Sequence, residues 1–126
     1  MHRSRLAGLI IDCRGEDVDS AARFWSQALG CTAAQSRDPA DGNYVPLRTG
    51  SGDLGVEVQR VDHPSGVHLD IESDDVEHEV TRLEKLGARR LRNVEDWVVL
   101  EAPSGQRFCV IQAESSEFRK RANVWE

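Results

Sequence analysis

The sequence predicts an α+β fold in which two βαβββ modules share one mixed, cupped β-sheet with helices on its convex face. Three observations carry that prediction: an internal repeat, two amphipathic helical stretches with glycine stops, and eight short alternating segments. The repeat aligns Leu9-Ile10-Ile11-Asp12 with Val67-His68-Leu69-Asp70, 58 residues apart. Each segment leads through acidic residues into a helical pattern that ends in Leu-Gly, at Leu29-Gly30 and at Leu86-Gly87. A segment that recurs with its surroundings intact marks a duplicated structural unit.

The first helix pattern places Val18, Ala21, Ala22, Trp25, Ala28 and Leu29 on one stripe. This is the 3.6-residue period of a helix packed on a core. Asp17 is positioned to cap it, and Gly30 can take the left-handed conformation that ends it. The second pattern, Val76, Val80, Leu83 and Leu86, ends at Gly87. Asp74 and Glu77 have the spacing of a capping box. His78, Glu79, Arg82 and Glu84 fall off the stripe and read as a solvated face. Strands are expected at about 6–13, 31–35, 43–48, 54–61, 66–72, 88–93, 96–102 and 106–112. Between them lie turns rich in Gly, Pro, Asp and Ser, such as Asp38-Pro39-Ala40-Asp41-Gly42, Gly50-Ser51-Gly52 and Ala102-Pro103-Ser104-Gly105. Module 1 covers about 6–61 and module 2 about 66–112. Each is too small to bury much alone, so a single domain over 1–126 is expected. The tail, 113–126, carries Phe118 and Trp125, which favours docking.

Composition narrows the function. With 126 residues and a net charge of −6, the chain lacks the basic stripe of a nucleic-acid-binding module. The short cationic runs around Arg89 and Arg119 read as solvated edges. No apolar run is long enough to span a membrane, and the N-terminal apolar run is too short for a signal peptide. Cys13, Cys31 and Cys109 form no CxxC pair and read as reduced thiols of a cytoplasmic protein.

Alternation sorts the strand residues by face. Val67, Leu69 and Ile71 should lie under the helix, with His68, Asp70 and Glu72 opposite. By the same rule Leu9, Ile11, Cys13, Val56, Val58, Phe108 and Val110 face the helices. The other face then gathers Tyr44, Arg48, Glu57, His68, Asp70, Trp97, Arg107 and Cys109. A sheet face with this mixture of polar and aromatic groups suggests a ligand-holding hollow; a plain solvated sheet face would alternate in the same way.

The doubled pattern, Phe24-Trp25-Ser26-Gln27-Ala28-Leu29-Gly30, Val67-His68-Leu69-Asp70-Ile71, Leu83-Glu84-Lys85-Leu86-Gly87-Ala88 and Ala102-Pro103-Ser104-Gly105-Gln106-Arg107-Phe108-Cys109-Val110 together resemble the vicinal oxygen chelate superfamily. That superfamily spans glyoxalase, bleomycin-resistance and dioxygenase types. The likeness covers about residues 6–112 and is nearest to small bacterial glyoxalase-like domains. It implies four metal-ligand positions, which fall here on Ile10, Glu57, His68 and Cys109. Ile10 has no donor atom, so the ligand set is incomplete: His68, Glu57 and Cys109, or no metal. The cofactor expected is therefore none or a divalent metal ion. The resemblance also implies a homodimer.

Two functions follow. One is a lyase, isomerase or dioxygenase-type enzyme acting on a small oxygenated metabolite. In it Glu57 is a general base, His68 an acid or orienting group, and Arg48 or Arg107 the partner of an anionic substituent. The other is a non-catalytic protein that sequesters a drug or metabolite. In it Trp97 and Tyr44 stack a flat ligand, and Asp70, Glu72 and Glu57 favour a cationic one.

Overall fold

The computed structural model describes residues 1–15, 17–34, 42–50, 54–114 and 117–126. The turn read at 38–42 and the one at 50–52 therefore lie largely outside the described residues. In chain order the elements are β1 (His2–Arg14), α1 (Val18–Leu29), β2 (Thr32–Ala33), β3 (Tyr44–Arg48), β4 (Gly55–Val61), β5 (Gly66–Ser73), α2 (Val76–Lys85), β6 (Arg89–Val94), β7 (Trp97–Glu101), β8 (Arg107–Gln112), α3 (Phe118–Arg121) and β9 (Asn123–Trp125). The order βαβββ occurs twice, as the repeat predicts, in an α+β fold with mixed strand pairing.

The chain divides into two compact units. An inner unit spans Gly8–Val67, and a terminal unit joins Met1–Ala7 to His68–Glu126. β1 contributes its two halves to different units. The N-terminal residues and the tail thus complete the unit built on module 2, an assignment that the repeat alone does not contain.

In the inner unit, β2, β3 and β4 are antiparallel neighbours, and β4 runs parallel to the second half of β1. α1 buries Val18 and Ala22 against Val45, Leu47 and Val58, with Ile11, Cys13, Trp25 and Val56 packed around them. Asp17 accepts hydrogen bonds from the amides of Asp19 and Ser20 and caps the helix. Gly30 ends it at φ 69°. Phe24 turns its ring outward and is 61% exposed, while Trp25 takes the inward place. Burial pushes the Cys13 thiol up from its ordinary range, against a lowering contact from Trp25.

In the terminal unit, β5 is parallel to β8, and β8, β7 and β6 are antiparallel in turn. α2 sets Val80 and Leu83 against Val98, Leu100 and Val110, with Ile71 and Phe108 beside them. A fully buried side chain of this kind contributes about 1.5–3 kcal/mol. The helix is capped by Asp75, which accepts from the His78 amide at 3.1 Å, rather than by Asp74. Asp74 instead accepts from the Arg3 amide at 2.7 Å. Three residues read as packed are exposed: Leu86, assigned by the helical stripe, and Val67 and Leu69, assigned by alternation to the helix side of β5.

Two buried ionic groups organise this unit. Glu79, assigned by the sequence to a solvated face, is fully buried. It accepts from Arg82 through a two-pronged contact at 2.9 and 2.8 Å and is 2.8 Å from His2 Nε2. Arg82 lies 3.8 Å over the Trp125 ring, and Trp125 donates its indole N–H to Ser4 Oγ at 2.9 Å. β9 pairs with β1 from His2 to Ser4, and Phe118 is buried. The tail is therefore docked on its own unit, as its two aromatics suggest. Glu72, read as a ligand-facing acid, is held by Arg5 at 2.7 Å, with both side chains under a tenth exposed.

Candidate functional site

The site-building elements of the terminal unit are β5, β7 and β8. In β5, His68 and Asp70 are two residues apart and share the face turned away from α2, because Ile71 packs on the helix side. The parallel register with β8 places Asp70 opposite Cys109, and the antiparallel register with β7 places Val99 opposite Cys109. Phe108 and Val110, flanking Cys109, pack toward the helix, so Cys109 shares the face of Asp70.

This register brings three donor groups together. One ligand atom each from His68, Asp70 and Cys109 lies within 4.8 Å of the other two. All three residues are half-buried. His68 Nε2 is 3.5 Å from Asp70 Oδ1, an ion-pair distance without hydrogen-bond geometry. Asp70 Oδ1 is buried and has no hydrogen-bond partner among the described residues. A buried carboxylate oxygen without a partner is costly, and such groups mark places where something further binds. Cys109 is a free thiol. Trp97 and Arg107 stand on the same two strands and the same face, Trp97 half-buried and Arg107 exposed. Arg107 lies opposite Glu101, which bonds Arg89 at 2.9 Å.

The remaining residues singled out by the sequence belong to the inner unit. Glu57 is half-buried on the face turned from α1, opposite Pro46 on one side and Ile10 on the other. Tyr44 is half-buried and accepts a hydrogen bond from Gln59 Nε2 through its hydroxyl at 2.9 Å. Arg48 is exposed at the end of β3. Asp12 is buried, 4.0 Å from His63 Nε2. The spacing pattern assigns no role to this Asp12–His63 pair, and His63 itself reads as a loop residue. The four-position ligand set implied by resemblance fails the test of chemistry at Ile10, which is apolar and 5% exposed. The third donor beside His68 and Cys109 is Asp70, which the alternation places on the correct face and assigns to ligand binding.

Fold and side chains together define a small α+β protein of the doubled βαβββ class with a polar cluster on one sheet face. The chain belongs to the glyoxalase-like domain family, whose model matches residues 8–111, and with it to the vicinal oxygen chelate superfamily. No curated protein matches the sequence. Solved structures with a similar fold include a hypothetical protein from Bacillus halodurans C-125, at 11% identity and TM-score 0.64, covering 90% of this chain and 96% of that one. Another is methylmalonyl-CoA epimerase from Mycobacterium tuberculosis, at 13% identity and TM-score 0.60, covering 87% and 90%. A third is a mutant 4-hydroxymandelate synthase from Streptomyces coelicolor, at 16% identity and TM-score 0.58, covering 90% and 50%. At these identities the likeness is one of fold, and fold alone does not assign a reaction.

Proposed function

We propose that this chain binds a small oxygenated metabolite against the β5–β8 face of its terminal unit and acts on it by moving a proton. The observation that carries this reading is the convergence of His68, Asp70 and Cys109, with a buried, unpartnered carboxylate oxygen among them. An imidazole beside a carboxylate can donate to a ligand oxygen or exchange a proton with it near neutral pH. Trp97 supplies an apolar wall on the same face, and Arg107 a cation for an anionic substituent. Similar folds in an epimerase and a hydroxymandelate synthase are consistent with small-molecule chemistry. Glu57, expected from the sequence as a general base, belongs to the inner unit, and this reading gives the proton transfer to groups of the terminal unit. Three free thiols suit a reducing, cytoplasmic setting. Among the described residues, no helix is long and apolar enough to cross a membrane. A homodimer, implied by the family, completes the reading and is measurable by sedimentation.

The test is a thermal-shift screen of small oxo- and hydroxy-acids, with product analysis of each compound that binds. The reading expects a stabilising compound whose effect falls at least tenfold in apparent affinity in His68→Ala. Stabilisation that survives His68→Ala unchanged, or no stabilisation by any compound, overturns it. A compound that binds and is recovered unaltered moves the conclusion to the sequestering alternative, which Trp97 on this face favours.

A further inference from the structure

We infer that His68, Asp70 and Cys109 form a zinc-class metal site contained within the terminal unit. This deepens the proposed function, since the ion would be the group that meets the ligand's oxygen. The inference departs from the ligand set implied by family position, because it dispenses with Ile10 and Glu57 and recruits Asp70.

The argument starts from the backbone. Residues two apart on β5 share a face, and the parallel register sets Asp70 against Cys109 on β8. An imidazole nitrogen, a carboxylate oxygen and a thiol sulfur then fall within 4.8 Å of one another. Zinc bonds are about 2.0–2.3 Å long to these atom types. Donors around a single ion therefore stand roughly 3–4 Å apart, close to the 4.8 Å within which these three atoms already lie. His68 Nε2 and Asp70 Oδ1 are already 3.5 Å apart. Asp70 Oδ1 is buried and lacks a hydrogen-bond partner among the described residues. An ion at this point would supply the missing partner.

Donor chemistry selects the metal. A nitrogen, oxygen and sulfur set suits borderline ions such as Zn²⁺, whereas Mg²⁺ and Ca²⁺ favour all-oxygen shells. Three protein donors leave a fourth tetrahedral position for a ligand oxygen. On binding, Zn²⁺ exchanges bound waters for the imidazole, the carboxylate and the thiolate. The thiol proton leaves to solvent, so binding weakens as pH falls. The two anionic donors balance the ion's charge.

The experiment uses the full chain, stripped with chelator and shown by its melting to remain folded. Zn²⁺ is titrated by calorimetry, and Co²⁺ is added as a spectroscopic probe in parallel. Expected are one Zn²⁺ per chain and a thiolate-to-cobalt charge-transfer band. Cys109→Ser removes the band, and Asp70→Asn and His68→Ala each weaken Zn²⁺ binding at least tenfold. Cys13→Ser and Cys31→Ser leave both signals unchanged. The proposal is overturned if the folded wild-type chain binds no Zn²⁺ saturably, or if the band survives Cys109→Ser. Should a variant fail to fold, the wild-type band and its loss on alkylation of Cys109, located by peptide mass, decide the matter. The two readings fail separately. Metabolite binding to stripped protein without Zn²⁺ binding sinks only the metal site, whereas Zn²⁺ binding with no metabolite response sinks only the proposed function.

Discussion

The two βαβββ units solve the same packing problem and differ in what they place on the opposite sheet face. Each caps its helix with an aspartate, Asp17 or Asp75, and buries valines and leucines beneath it. Asp12 and Asp70 occupy matching places in the repeat. In the inner unit Asp12 is registered with Gln59, and the residue two before it is Ile10. In the terminal unit Asp70 is registered with Cys109, and the residue two before it is His68. The scaffold recurs in both copies, and among the described residues the donor cluster stands in one. The helix-side residues are constrained by burial, while the opposite positions are free to diverge.

The largest effect separating the units is expected at Glu79, which has no counterpart contact described in the inner unit. Burial pushes its carboxyl up, but hydrogen bonds from Arg82, His2 and Ser4, with the charge of Arg82, outweigh that and hold it below the ordinary value. A lowered folded-state value means that the stabilisation is fully present above the ordinary glutamate value of 4.5 and is lost as pH falls through the folded value. Glu79→Gln should cost about 3–5 kcal/mol at neutral pH, the scale for breaking a buried ion pair. Its melting temperature should also fall less steeply than the wild type's below pH 4.5. Parallel acid profiles in the two proteins would remove Glu79 as the keystone of this unit.

The inner unit has a different weak point. A Cβ on Gly8 would sit 2.4 Å from the carbonyl oxygen of Gly55, its registered partner on β4. Gly8→Ala should therefore force the parallel strands apart and cost about 1–3 kcal/mol. Denaturant titration measures it; a loss under half a kilocalorie, on the order of a neutral surface change, would show that the strands yield freely.

The smallest effect sharpens the likeness. Asp17→Ala and Asp75→Ala should each destabilise by a similar, small amount, because each removes one helix cap. Both carboxyls are held low, Asp17 by hydrogen bonds from Ser20 and Asp75 by those from His78. Equal losses in chemical denaturation would confirm that the caps are equivalent, and a loss confined to one helix would break the symmetry.

Much of this architecture is legible in the sequence, and the illegible parts have physical reasons. Gly30 and the two helix stripes follow from short-range periodicity. The faces of β3, β4, β7 and β8 follow from alternation. Glu79 was unreadable because its burial depends on His2 and Trp125, at the two ends of the chain. β9 is three residues long and carries no periodic signal. The pairing of Glu72 with Arg5 is likewise long-range, and it withdraws one acid from the face assigned to ligands. For the donor cluster, alternation supplies the face of His68, Asp70 and Cys109. Their nearness depends on the β5–β8 register, which no local pattern encodes; Glu57 enters the metal-ligand set through the resemblance.

The division of β1 at Ala7 has a consequence for the order of events during synthesis. The inner unit is one continuous run of sequence, Gly8–Val67, whose residues leave the ribosome consecutively. The terminal unit is assembled from two separate runs, because its first strand segment, His2–Ser4, pairs with Asn123–Trp125, and Ser4 and Trp125 lie 121 residues apart in sequence. Synthesis thus delivers the residues of one unit together and those of the other in two instalments, one on either side of them.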